Sequence, residues 1–352
     1  MKQAVVIGGG VVGCHIALEL AERRYEVFLL ERHSRLGMDT STRNSGVLHA
    51  GIYYPADSLK ARLCVEGNRL SREFFDRTGV QYRPSGKFII ARDRSEISEI
   101  EALRDKAIAN GAEGISLVPQ DTVQKRVPYV RCVGALHSAS TCIIDTGDYL
   151  TTLKTILMQR DVHLLYECPA LAIDGGVRVE TPRGSVDADI VINAAGLYAD
   201  EVARMTGLDD FTVVPLKGDY YCTTALPLEV PVYPSPNHGH GTLGVHLTPT
   251  CGPDVIIGPS ETPSRGKDNY DIETPFAVFD DSLRDMIPNY EAIRPSLREG
   301  FSGNRPRAFR GGTRCEDFII MKQPDSVIHL LSIESPGLTS APAIARFVVK
   351  MI

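Results

Sequence analysis

The first thirty-one residues constrain this chain more than any other stretch. A hydrophobic strand over residues 4–7 runs into the glycine turn Gly8-Gly9-Gly10-Val11-Val12-Gly13. A helical segment over 14–24 follows, then a second strand over 27–30 and an acid, Glu31. Gly8 permits the tight exit from the strand, Gly10 lets backbone amides approach a pyrophosphate, and Gly13 lets the helix pack close to the sheet. The helix N-terminus offers free N–H groups and its positive dipole end to the anion. Glu31 stands where a carboxylate accepts bonds from an adenosine ribose and repels a 2′-phosphate, which disfavours NADP. Glycine turns arise by chance, but strand, glycines, helix, strand and acid in register point to a dinucleotide site.

The whole 352-residue chain sets outer limits. Its length suggests about two domains, and 43% hydrophobic residues suffice for a buried core. A formal charge of −6 without a long basic run argues against nucleic acid as a partner. Apolar runs are only strand length and the first strand begins at residue 4, so neither a transmembrane span nor a signal peptide is expected. A cytoplasmic place is the expectation, with peripheral membrane contact left open. The eight cysteines are dispersed and lack paired metal-ligand spacing, so reduced, mostly buried thiols are expected. His238, His240 and His246 come nearest to a metal cluster, but no acid or thiol is close in sequence, and no metal is expected.

Farther along, residues 58–78 and 95–110 read as helices, 87–91 as a strand, and 148–159 as a helix. The apolar run 189–193 ends in Ala194-Ala195-Gly196, as a buried parallel strand should, so the chain returns there to the nucleotide domain. From 213 to about 257, Pro and Gly turns suggest short antiparallel strands. A short helix over 280–287, a last strand over 327–332 and a helix over 340–350 complete the pattern. Pro342 is then read as sitting in that helix's first turn, where proline is tolerated. The fold class is α/β (α+β overall): a Rossmann-like nucleotide domain over 1–80, 140–212 and 325–352, interleaved with a mainly antiparallel-sheet substrate domain over 81–139 and 213–324.

The fingerprint alone does not separate NAD from FAD, because both carry an ADP half. The stretches TSTRNSGVLHAGIYY (40–54), IVINAAGLYADEVA (190–203) and IESPGLTSAPAIA (333–345), with Ile257-Gly258-Pro259 and KGDYY (217–221), decide it. In that order and spacing they closely resemble the D-amino-acid-oxidase-like superfamily of FAD enzymes, and within it the L-2-hydroxyglutarate dehydrogenase or oxidase branch. The resemblance covers nearly the whole chain.

It implies FAD as cofactor and oxidation of a 2-hydroxy acid, first choice L-2-hydroxyglutarate to 2-oxoglutarate, by hydride transfer to flavin N5. It places Gly8, Gly10, Val12 and Gly13 at the pyrophosphate, Glu31 and Arg32 by the ribose, and Thr40, Ser41, Asn44, Ser45 and Gly46 along the pyrophosphate and flavin. Ala195 and Gly196 form a second nucleotide-contacting turn. Pro336, Gly337, Leu338 and Thr339 bring backbone N–H groups to the flavin pyrimidine, where they stabilise the charge of the reduced ring. His49 or its rival His246 would take the hydroxyl proton. Arg294, followed by Pro295, resembles the arginine–proline motif that holds a substrate carboxylate, and a guanidinium suits that task with two parallel bonds. A second contact for a dicarboxylate falls to Lys217 with Tyr220 or Tyr221, or to Lys60 and Arg62, with Arg43 and Tyr54 also facing substrate or cofactor. His238 and His240 belong to the cavity rim or surface. Noncovalent FAD is expected, and the electron acceptor stays open among oxygen, a quinone and an electron-transfer protein.

Departures from the family pattern sharpen the alternatives. The run from Arg305 to Arg314 carries four arginines. It reads as a solvated face or as a preference for a more anionic substrate, such as a glycerol-3-phosphate-type polyol phosphate. An amino-acid or secondary-amine oxidase uses the same scaffold. The remaining alternative is a flavin-binding module without turnover.

Overall fold

The computed structural model describes residues 1–175, 177–236, 244–324 and 326–352. The opening strand Gln3–Ile7 is buried along almost its whole length, as its unbroken apolar run requires of a central parallel strand. It pairs in parallel with Glu26–Leu30 on one side and Ile190–Asn193 on the other. His163–Leu165 and Val327–Leu331 extend this sheet in parallel at either side. Ile319–Lys322 closes one edge as an antiparallel strand. That edge strand lies inside the span that the sequence division gave to the substrate domain, because the chain re-enters the nucleotide sheet one hairpin before its last strand. The first helix, Val11–Glu22, starts three residues before the expected Cys14.

The helix Leu59–Thr78 is fixed at both ends. The Ser58 hydroxyl accepts from the Ala61 N–H, and Gly79 takes the left-handed conformation at φ 78°. Its apolar face, with Leu63, Leu70, Phe74 and Phe75, joins the first and last helices in one large core. The last helix runs from Gly337 to Val349, so Pro342 is its sixth residue and lies inside it. The expectation of a start near Ser340 is corrected here: Ser340 N already donates to Pro336 O at 2.9 Å, one turn earlier.

The second sheet is mainly antiparallel. Its longest pairing, antiparallel Phe211–Thr223 with Arg298–Arg310, lies towards one edge. Val255–Gly258, His246–Pro249, Val232–Pro234, Lys87–Ala91, Gly134–Ser138 and Ile115–Pro119 follow in order. Val232–Pro234 joins Lys87–Ala91 in parallel, and this pair carries chain from both parts of the sequence into one sheet. The fold is therefore a Rossmann-like sheet and an antiparallel substrate sheet, threaded through each other. Among the described residues, no helix is long and apolar enough to cross a membrane.

Candidate active site

A cavity of about 1100 Å³ runs from the nucleotide turn to the substrate sheet. At its first end the backbone is shaped by two glycines. Gly8 has φ +112°, and a side-chain carbon there would lie 2.4 Å from the Ala194 carbonyl oxygen. Gly13 packs beneath the turn, where such a carbon would lie 2.0 Å from Gly8 O. Strand, turn and helix are thereby pressed together, leaving Gly8, Gly10 and Val12 on the cavity wall. Ala195 and Gly196 line it from the facing turn.

Glu31 is buried at the end of its strand. One carboxylate oxygen accepts from Gly9 N at 2.9 Å and the other from His33 N at 2.8 Å. Burial pushes its pKa up against these two backbone donors. Each oxygen retains a lone pair for a ribose hydroxyl. The Arg32 guanidinium lies over the Tyr198 ring, 3.9 Å from its centroid, and pairs with Asp268.

The middle of the cavity is made by Thr40, Ser41, Arg43, Asn44 and Ser45. Ser41 Oγ accepts from Val11 N at 2.9 Å, which docks this segment on the helix N-terminus. Thr40 Oγ1 donates to Asn304 O at 3.0 Å and ties the same segment to the strand that carries Arg305. Opposite stand Pro336, Gly337 and Leu338 at the start of the last helix.

The far end holds His49, Tyr53, Tyr54, Tyr220, Tyr233 and His246. The His49 backbone is clamped: its N–H donates to Thr339 Oγ1 at 2.9 Å and its carbonyl accepts from Asn68 Nδ2 at 3.0 Å. Its ring is different, because Nδ1 is buried and, among the described residues, has no hydrogen-bond partner. Burial, and then the Lys87 ammonium, push the His49 pKa down to about 3, so the ring is neutral at physiological pH. His246 stacks flat on Tyr233, with ring centroids 3.5 Å apart. His238 and His240 lie outside the described residues. Among the described residues, no group of three metal-ligating side chains occurs.

Seven expected site residues do not line the cavity. Gly13 serves packing, as above. Gly46 turns the chain at φ +63° and accepts from Ile144 N. Thr339 is buried and holds the His49 main chain instead of facing the cavity. Lys217 is fully buried, with its ammonium donating to Asn269 Oδ1, Asp271 O and Glu273 Oε2, so its three donors are used. Arg294 is exposed, pairing with Asp280 at 2.7 Å beside Phe276, away from the cavity. Tyr221 and Arg62 also turn away, Tyr221 against Phe276 and Phe279 and Arg62 over Phe347.

In place of Arg294 the structure brings Arg305, Arg307 and Arg314 to the cavity, together with Lys60. Lys60 pairs with the buried Glu334 at 3.1 Å, Arg307 with Glu261 and Glu334, and Arg314 with Glu316 and Glu334. Burial raises the Glu334 pKa, but Lys60, Arg307 and Arg314 outweigh it and hold the carboxyl below its ordinary value. Those three cations are therefore matched by three carboxylates. Arg305 is not: among the described residues its guanidinium makes one hydrogen bond, a long 3.5 Å contact to Lys217 O, and no carboxylate pairs with it. The signal was present in the sequence, since Arg305-Pro306 repeats the dipeptide of Arg294-Pro295.

A glycine turn on a helix N-terminus, a buried carboxylate beside it, and a cavity that reaches an imidazole whose Nδ1 has no partner among the described residues fit an extended dinucleotide with a reactive ring at its far end. The chain belongs to the FAD-dependent oxidoreductase family (DAO), whose model matches residues 3–351. It is thus an FAD-dependent oxidoreductase. Within that family it is 30% identical to human mitochondrial L-2-hydroxyglutarate dehydrogenase, over 98% of this chain and 87% of the relative. It is 27% identical to L-2-hydroxyglutarate dehydrogenase of Escherichia coli (strain K12), over 100% of this chain and 93% of the relative. Among solved structures it resembles L-alpha-glycerophosphate oxidase from Mycoplasma pneumoniae with FAD bound, at a TM-score of 0.88 and 28% identity, covering 100% and 95% of the two chains. L-proline dehydrogenase from P. horikoshii shares the fold at a TM-score of 0.85 and 19% identity, covering 99% and 92% of the two chains.

Proposed function

We propose that this enzyme oxidises a 2-hydroxy acid to the 2-oxo acid, with L-2-hydroxyglutarate as first choice. The observation that carries this reading is that one cavity is lined both by an imidazole without a partner at Nδ1 and by a guanidinium without a carboxylate, among the described residues. The names of the relatives supply the particular acid.

When bound, FAD supplies a two-electron acceptor for the hydride that leaves the hydroxyl-bearing carbon. Gly8, Gly10, Val12, Glu31 and Arg32 would hold its adenosine and pyrophosphate half, and Ser41, Asn44, Ser45, Ala195, Gly196, Pro336, Gly337 and Leu338 the rest. Arg305 takes the substrate carboxylate in place of Arg294 and thereby orients the hydroxyl-bearing carbon. Arg307 and Arg314 add positive field for a second carboxylate. His49 is neutral and accepts the hydroxyl proton at a ring nitrogen. Its affinity for that proton rises once an anionic substrate lies beside it, because a nearby negative charge favours the imidazolium. Tyr53, Tyr233 and the ring of His246 exclude water around it.

A polyol phosphate is the second reading. It is favoured by the cations at this end and by the whole-length likeness to the glycerophosphate oxidase. Mixing the FAD-loaded enzyme anaerobically with L-2-hydroxyglutarate, its D-enantiomer, glycerol 3-phosphate and a set of amino acids separates the readings. Bleaching of the yellow flavin by L-2-hydroxyglutarate alone is the expected result. Bleaching by glycerol 3-phosphate, or by an amino acid, with none from the hydroxy acid overturns the first choice.

A further inference from the structure

Glu334 stands between the strand Val327–Leu331 and the last helix, lines the cavity, and is only 6% exposed. Three cations from three segments converge on it. Lys60 Nζ, from the first turn of the helix Leu59–Thr78, donates to Oε1 at 3.1 Å, Arg307 Nε lies 3.4 Å from Oε2, and Arg314 Nη2 lies 3.7 Å from Oε1. Asp317 fixes the base of Lys60, accepting from Leu59 N at 2.7 Å and Lys60 N at 2.9 Å. Burying such charges costs about as much as their attraction returns, so the cluster is a poor device for stability alone. Its place on the cavity wall gives it another use.

Arg305 and Arg307 are two residues apart on one strand, so their side chains leave the same face about 7 Å apart. A ligand with a carboxylate on Arg305 therefore carries its far end towards the Arg307 cluster. Glu261 and Glu316, the other carboxylates paired with Arg307 and Arg314, are 32% and 70% exposed and screened by water, whereas Glu334 is not. Glu334 thus sets the field that the far end of the ligand meets. The attraction of an ion to a positive site grows in proportion to its charge, but the cost of taking it out of water grows with the square of that charge. A site whose field is cut by one buried carboxylate suits a single charge better than a double one.

We propose that Glu334 is a specificity-determining residue: it sets the cluster of Lys60, Arg307 and Arg314 to receive a singly charged carboxylate at the far end of the substrate and to turn away a doubly charged phosphate. This rests on the reading of Arg305 as the anchor of a 2-hydroxy acid. It separates the two substrate classes by charge at one residue.

The test measures binding to the oxidised, FAD-loaded enzyme by the shift in flavin absorbance. The probes are 2-oxoglutarate and 2-oxo-4-phosphonobutanoate, which differ only at the far end, at a pH where the phosphonate is doubly charged. The wild type is expected to prefer the carboxylate. Glu334→Gln is expected to move the preference towards the phosphonate by about tenfold or more, because the added positive charge acts twice on a double charge. Should that variant not fold or not hold FAD, Lys60→Met and the double variant Lys60→Met/Glu334→Gln differ by the same carboxylate without leaving a buried ammonium unpaired. The same shift is expected between those two. A preference that does not move in either FAD-loaded pair overturns the proposal, as does a wild type that binds the phosphonate as tightly as the carboxylate. If neither oxo acid binds, the proposed substrate fails, and inorganic phosphate against acetate, read in the same pairs, still decides the part played by Glu334.

Discussion

Arg294-Pro295 and Arg305-Pro306 share a dipeptide and meet opposite fates. The first ends in a short surface helix and binds Asp280, and the second lies on a long strand with its guanidinium on the cavity wall. A motif of two residues names a chemistry but not a direction. Which face Arg305 takes is set by strand register, here Leu216 opposite Arg305 and Val214 opposite Arg307, and register is a tertiary fact. Lys217 shows the same limit, since only the folded chain brings Asn269, Asp271 and Glu273 around its ammonium. His49 does line the cavity, and the long motif around it pointed there. Arg305→Met is expected to weaken substrate binding about 100-fold, the loss of two charge-assisted hydrogen bonds of about 1.5 kcal/mol each. Arg294→Met should leave the binding constant unchanged, because an exposed ion pair contributes about 1 kcal/mol or less and none of it at the cavity. A titration of flavin absorbance with substrate reads both, and reversed outcomes would return the anchor to Arg294. His49→Gln should slow flavin reduction by at least about 100-fold while FAD stays bound.

At the scale of elements, the opening strand, turn, helix and strand were readable almost to the residue, because local sterics dictate each step. Gly8→Ala tests that: the new methyl group meets the Ala194 carbonyl in a backbone conformation L-residues rarely adopt. The expected result is loss of bound flavin, read as the ratio of flavin to protein absorbance, and a variant that keeps full yellow colour contradicts it. The strand Phe211–Thr223 was harder, since Pro215 and Gly218 read as turns. Pro215 faces Pro306 across the pair. Two prolines exchange no N–H bonds, so this rung belongs to a non-hydrogen-bonded position, and a strand that looks broken in sequence runs through. Pro342 misled in the reverse direction. A proline rule that favours the first turn drew the helix start towards Ser340, while Gly337 and Leu338 are already helical and line the cavity.

For the whole molecule, the interleaving of two sheets was visible in the return of apolar parallel-strand patterns at 189–193 and 327–332, but the cavity between them was not. It forms where segments distant in sequence meet, as when Thr40 bonds Asn304. The same burial gives the molecule an acid weakness. His15, packed against Tyr149 and Phe74, is held down to about 3 by burial, and His329, bonded to Asn193, to about 4. Both values lie below the unfolded value near 6.5, so the native state binds fewer protons, and stability present above about pH 6.5 is lost as the pH falls towards those values. At pH 5 each histidine should cost about 2 kcal/mol. The urea midpoint of the FAD-loaded protein should therefore fall steadily from pH 6.5 to 5, and a flat profile would contradict neutral burial of these rings.

The central claim is that one cavity presents a carboxylate anchor and a proton acceptor to the same small molecule. A crystal structure of the FAD-loaded enzyme, reduced and soaked with 2-oxoglutarate, tests it most directly. The expected density has a carboxylate in two-point contact with Arg305 and the C2 oxygen within hydrogen-bond distance of His49. A ligand bound with its carboxylate on Arg294, or lying in the cavity with its C2 oxygen turned away from His49, would contradict it.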